Sequence, residues 1–232
     1  MTPRQAIKKL KLRLNKSDSS DYDNIPNHEA VEAINKAALD WCRRQIHGDN
    51  AQKEGDEESK MRVDDLQQLL KPAILIGKNS FLFFETDTLP EDYLWYKRIL
   101  PLCYTKSCPE GRAFKSYFVE EANVPDYLED DSWQPSFEWN QSFHTLVGNK
   151  IRVYTNKAFE VRRIDMVYYR KPLKMDIKGY KHLDGSDSKD VDLEFKDDVA
   201  ELIITEAASI IAGDEESTNQ IQINSQRTEN NN

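Results

Sequence analysis

SFEWNQSFHTLVGNKIRVYT, residues 136–155, decides the fold class. Its large side chains alternate with polar ones through Phe137, Trp139, Gln141 and Phe143. A period of two means a strand, because successive side chains of extended chain point to opposite faces. Gly148–Asn149 then reads as a hairpin turn, and KIRVYT returns as a second strand.

The same period extends outward. AFKSYFVEE (113–121) alternates, VPDYLED (124–130) reads as a short helical turn, and FEVRRIDMVYYRKP (159–172) gives a long strand closed by Pro172. Aromatic and β-branched residues dominate these segments, as a pleated, half-buried surface requires. They predict an antiparallel β module, a sandwich or a small barrel.

Further out the period changes to 3.6. In IPNHEAVEAINKAALDWCRRQIHG (25–48), Asn27 suits an N-cap, Glu29 the positive end of the dipole and Gly48 the stop. Val31, Ile34, Ala38, Trp41 and Gln45 form its stripe, with Cys42 beside it. FKDDVAELIITEAASIIAGD (195–214) is the second strong helix, with Asp197 and Asp198 in its first turn and Gly213 at the C-cap position. Its stripe, Val199, Leu202, Ile203, Glu206 and Ile210, is apolar except for Glu206. MTPRQAIKKLKLRLNK (1–16) interleaves leucine with lysine, and predicts an amphipathic helix resting on a partner.

Between the first strong helix and the β module lie a charged loop (49–61) and a short helix over Val63–Leu70, ended by Pro72. A hairpin in AILIGKNSFLFF is centred on Gly77–Lys78–Asn79, and a helix in LPEDYLWYKRILPLCY runs from Pro90 to near Pro101. Tyr93, Leu94, Tyr96 and Leu100 line one broad face of that helix.

The expected architecture is therefore α+β: terminal helices packed as a bundle, carrying an inserted antiparallel β module. The boundaries read as a basic helix and link (1–24), a helical part with a possible hairpin (25–110) and the β module (111–180). An acidic link with the last helix (181–213) and a C-terminal arm (214–232) complete the chain.

At 232 residues, 38% hydrophobic and 31% charged, the chain has room for one large domain or two small ones. No run approaches the roughly 18 apolar residues of a membrane helix, and the N-terminus lacks the apolar core of a secretory signal. Cys42, Cys103 and Cys108 are odd in number and form no CxxC pair, so a reducing cytoplasm fits better than a disulfide framework. The Asn-x-Ser triplets at Asn15 and Asn140 are then chance.

The net charge of −9 argues against a broad nucleic-acid grip. Its distribution is segregated. Residues 1–16 hold six bases and no acid, 150–174 eight bases and two acids, and 184–216 twelve acids and two bases. Segregated charge suits a subunit that meets its copies in a fixed orientation.

No nucleotide loop, nucleophile elbow or zinc-protease motif occurs. His28, His47, His144 and His182 lie in different elements without zinc spacing. In DGSDSKDVDLE (184–194), Gly185 directly follows the first acid, which breaks the calcium-loop register. A Cys103–His144 pair has no support in spacing, and a buried structural cysteine is the commoner case. Tyr168 and Tyr169 beside Arg170 and Lys171 fall on opposite faces of a strand, so they build no stacking platform. The chain is read as non-enzymatic, with no cofactor and no metal.

The order YYRKP, a GY turn, an acidic link, DLEF, a helix ending AASIIAGDEES, then NQIQINSQRTENNN resembles virion ring (neck) proteins of crAss-like Bacteroides phages. Residues 25–48 and LPEDYLWYKRI (89–99) fit the same pattern, and the terminal-helix layout is distantly similar to podovirus head–tail adaptors (tail tubular protein A). Those adaptors are largely helical, so the β module departs from them. The resemblance implies a homo-oligomeric, dodecameric ring in the virion neck, made in the host bacterial cytoplasm. It would bind the portal protein and other neck or tail proteins, and line the channel through which phage DNA passes without specific binding or any membrane contact. It also implies a C-terminal arm reaching the portal. In that arm Ile221 and Ile223, spaced by two, suit strand addition to a partner's edge, and Arg227 suits an acidic contact. An acidic lumen would let DNA slide.

A second reading is a tail appendage whose β module binds a receptor or glycan through exposed Trp133 and Trp139. A small hydrolase using scattered carboxylates such as Asp184 and Asp187 is the third.

Overall fold

The computed structural model describes residues 1–14, 25–47, 64–182 and 185–214. They divide into two compact units: Met1–Gln68 with Pro172–Asn232, and Leu69–Lys171. The fold is α+β, with the β unit inserted between the two halves of the helical one.

Among the described residues, the helical unit contains α1 (Pro3–Leu14), α2 (Asn27–His47) and a last helix at Asp197–Asp214. That last helix packs against both others. Its buried apolar residues come in adjacent pairs one turn apart (Val199/Ala200, Ile203/Ile204, Ala207/Ala208, Ile211/Ala212), a face wide enough for two neighbours. Leu202 and Ile210, assigned to the stripe from sequence, lie half-exposed beside it. On α2 the predicted stripe is buried at Val31, Ile34, Ala38, Trp41 and Cys42, while Gln45 is partly exposed. The partner of the basic helix is the chain's own C-terminal helix. Lys9 and Arg13 both pair with Glu201, and Arg13 Nη1 donates to the Glu201 carbonyl at 2.7 Å. Gly213 does not cap that helix, which continues to Asp214.

Glu206 breaks the apolar stripe because Arg44 of α2 meets it with both Nη atoms, one bond measuring 2.6 Å. Fork-to-carboxylate pairing gives both oxygens of a mostly buried carboxylate a hydrogen-bond partner. Asn35 of α2 clasps Met175, taking its N–H on Oδ1 at 2.8 Å and donating Nδ2 to its carbonyl at 2.9 Å.

The β unit holds two sheets. The first has the order β1-β9-β4-β5: β1 (Leu70–Leu75), β9 (Glu160–Arg170), β4 (Tyr93–Thr105) and β5 (Cys108–Ala113), all antiparallel. The second has the order β2-β3-β8-β7-β6: β2 (Gly77–Asn79), β3 (Phe83–Thr86), β8 (Lys150–Tyr154), β7 (Gln141–Val147) and β6 (Lys115–Phe118). Two runs of chain turn the corners, since 70–79 supplies β1 then β2, and 108–118 supplies β5 then β6. Strands that switch sheets in this way let both sheets face one core. That core includes Phe84, Ile99, Phe114, Val153, Ile164 and Tyr168.

The module is not wholly antiparallel. β6 runs parallel to β7, which demands a crossover rather than a hairpin. Residues 119–140 make it, with α3 (Val124–Glu129) inside. Val124, Tyr127 and Leu128 of α3 pack with Val119, Phe143 and Tyr154 in a second, smaller core.

Several segments read as helix are strand. Residues 64–66 are helical and Gln67–Leu69 is a 3-10 turn, but β1 starts at Leu70 and runs through Pro72. Pro72 is tolerated because β1 is an edge strand. The hairpin near Gly77 exists, but Gly77–Asn79 is its first strand and residues 80–82 are its turn. The helix expected from Pro90 to Pro101 is β4, and the strands reach back to Leu70 rather than beginning at 111. β4 shifts register against β9 between Tyr93 and Trp95 and between Tyr96 and Arg98. Each irregularity adds a residue, so Tyr93, Tyr96 and Ile99 reach the core at intervals of three. Three is also a helical spacing. Gly148 and Asn149 form the expected turn, with φ of 59° and 61°, the positive values a type I′ hairpin needs.

Candidate functional site

The partner-binding residues expected from sequence, Ile221, Ile223 and Arg227, lie outside the described residues, as does Asp184. The candidate chemical groups fall apart from one another. Cys103 Sγ donates to the Pro101 carbonyl at 3.7 Å, and burial raises its pKa far above the ordinary thiol range. His144 bonds Ser116 Oγ through Nδ1 at 2.8 Å and sits among Tyr96 and Phe118. Burial pulls its pKa down to about 4. Tyr168 and Tyr169 are both buried, and Tyr168 donates to Asp92 Oδ1 at 2.7 Å. Among the described residues no three His, Cys, Asp or Glu groups stand together as a metal would need.

In the helical unit, Asp176 organises the acidic link. Its carboxylate accepts from Ile177 N–H (2.8 Å), Tyr180 O–H (2.7 Å) and Lys189 N–H (2.8 Å), and His182 Nε2 lies 3.1 Å away. Burial alone would raise its pKa, but these bonds, led by Lys189 N–H, hold it below the usual carboxylate value. With its acceptor positions filled, Asp176 pins a turn-rich loop.

The surface of the β unit is more informative. Tyr117 and Trp133 are each 50% exposed, and Trp139 is 81% exposed. Trp133 packs edge-on to Tyr117 and Tyr127, at 6.5 and 6.0 Å. Tyr127 in turn packs on Phe143, which stacks on Tyr154 at 4.9 Å. The exposed rings thus continue inward into the smaller core and are held by it. Trp139 stands on a tight turn whose base is a pair of Ser136–Gln141 backbone bonds, 2.9 and 3.0 Å long. Trp133 and Trp139 were legible as candidates, but both stand on the crossover rather than on a sheet face. Tyr117 and Phe118 were not legible, because adjacent residues of a strand point to opposite faces and yet both are exposed here. From 116 to 140 the chain carries seven acids and no base.

A second exposed apolar group surrounds the β2–β3 hairpin, where Ile76, Phe81 and Leu82 face solvent. Its charges are opposite. Lys157 Nζ sits 3.7 Å over the Phe81 ring, and Lys78 is exposed on β2.

Much of the segregated charge is satisfied inside the chain. Lys9 and Arg13 pair with Glu201, Lys196 with Asp64 and Asp65, and Lys150 and Arg152 with Glu85. No protein-family model matches the chain, and no curated protein matches it significantly. No helix among the described residues is long and apolar enough to cross a membrane.

Proposed function

We propose that this chain is a structural adaptor subunit that forms an oligomeric ring in the head–tail connector of a tailed phage, below the portal. It joins capsid to tail and lines the DNA channel, without a reaction or a cofactor. The observation that carries an assembly role is the apolar surface of the β unit: aromatic rings anchored from within yet open to solvent mark a site for another protein. The terminal helices with an inserted module, and the resemblance of residues 168–232 to neck proteins, support the phage assignment. Ile221, Ile223 and Arg227 of the arm are the proposed portal contacts. The exposed acids of the stretch 184–216, such as Asp192, Asp197 and Asp198, would face the channel and repel phosphates; finding them on the outside of the particle would end that part of the reading.

The test is light scattering and negative-stain imaging of the purified chain with and without portal protein. Rings that form with portal, and are lost when residues 214–232 are deleted, support an adaptor. The 81% exposure of Trp139 favours one second reading, a tail appendage that stacks a receptor glycan on tryptophan. Trimers indifferent to portal, with glycan binding lost in Trp139→Ala, would favour it.

A further inference from the structure

The two exposed apolar groups of the β unit lie at opposite edges of one sheet. In the order β2-β3-β8-β7-β6, the hairpin group belongs to β2 and β3, and Tyr117 and Phe118 belong to β6. Both lie within the single compact unit Leu69–Lys171, so their separation is set by one folded body. Their charges are opposite. Lys78 and Lys157 accompany Ile76 and Phe81, and the one acid of the hairpin, Glu85, is already paired with Lys150 and Arg152. The other edge carries Asp126, Asp130 and Asp131 on and after α3, all exposed, beside Trp133.

We infer that a second copy of this chain is the occupant of each edge: the Phe81–Lys157 hairpin of one copy docks on the Tyr117–Trp133 edge of the next. A contact between two unlike patches on one body is head-to-tail, and such contacts propagate until they close into a ring or continue as a filament. Apolar side chains supply the buried centre, while lysine against aspartate sets orientation and disfavours hairpin-to-hairpin and edge-to-edge encounters. The inference rests on the ring reading above and gives that ring its subunit contact.

The experiment uses the full chain and charge reversal. Variant A is Lys78→Glu with Lys157→Glu, and variant B is Asp126→Lys, Asp130→Lys and Asp131→Lys. All five positions are exposed, and circular dichroism checks the fold of each. Oligomer mass is read by light scattering, with and without portal, at low and high salt. Each variant alone should lose the wild-type oligomer by at least tenfold in concentration dependence. An equimolar mixture of A and B should recover it, since each A edge then meets a B hairpin and each B edge an A hairpin. Folded variants that assemble like wild type, or a mixture that fails to recover, overturn the contact while leaving the ring reading standing. A wild-type chain that stays monomeric with and without portal overturns both.

Discussion

Asn79 and Val161 are joined as two strands would be, although one partner is a side chain. The Val161 N–H donates to Asn79 Oδ1 at 3.0 Å, and Asn79 Nδ2 donates to the Val161 carbonyl at 2.9 Å. Asn79 ends β2 in the second sheet, and Val161 is the second residue of β9 in the first. Where the chain turns the corner and the backbone ladder stops, an amide side chain continues it. Asn79→Ala leaves both backbone groups of Val161 without this partner, and should cost about 1–3 kcal/mol. Urea denaturation with a lowered midpoint checks this; an unchanged midpoint would mean that water replaces the side chain.

Gly77 opens the same corner. A Cβ there would lie 2.0 Å from the Glu85 carbonyl oxygen and 2.7 Å from Thr86 Cα, both backbone atoms of the paired strand. Gly77→Ala must therefore push β2 from β3, and we expect a loss of about 1–3 kcal/mol. Its effect on thermal unfolding should exceed that of Gly148→Asn, which meets no neighbour and asks only that asparagine adopt a left-handed conformation it tolerates better than most residues. At Gly148 nothing lies within 4 Å and φ is +59°, a conformation asparagine accepts.

Arg44 and Glu206 predict a non-additive pair. Arg44→Met or Glu206→Gln alone leaves the other, partly buried group without its partner and should cost about 1–3 kcal/mol. The double variant should cost less than the sum of the two. Denaturation of the four chains gives the coupling directly, and strict additivity would show that the pair contributes only packing.

His144 sets a pH dependence. Its folded-state pKa of about 4 lies below the ordinary 6.5 because burial disfavours the imidazolium. Between those values the unfolded chain holds a proton that the folded chain does not, so stability is complete above about pH 6.5 and falls as pH drops toward 4. At roughly 1.4 kcal/mol per pKa unit the loss approaches about 3.5 kcal/mol. His144→Phe should flatten the melting temperature between pH 7 and 5 relative to wild type. Equal slopes would show that other groups carry the effect.

The sequence by itself determined what depends on near neighbours in the chain. The helices α2 and Asp197–Asp214, the Gly148–Asn149 turn and the strands β8 and β9 follow from local periodicity and turn chemistry, whereas of the run expected to alternate from Phe137 only Gln141–Val147 is strand, with four consecutive buried residues. Such patterns need only one buried face. Trp133 and Trp139 could be named from the sequence only as the rings that a receptor-binding reading needs exposed, and expected on a sheet face rather than on the crossover where they stand.

Tertiary structure alone decided the rest. β4 looked helical because Pro90 reads as a helix start and Tyr93, Leu94, Tyr96 and Leu100 as one face, whereas irregular pairing with β9 brings Tyr93, Tyr96 and Ile99 to the core. Glu206 looked like a flaw in its helix until Arg44, 162 residues away, was brought to it. The parallel pairing of β6 with β7, and the placing of Phe81 and Tyr117 at opposite edges of one sheet, depend on strand order. Strand order is a property of non-local pairing, in which residues remote in sequence become neighbours. A pattern confined to one segment carries no record of which segment it will meet.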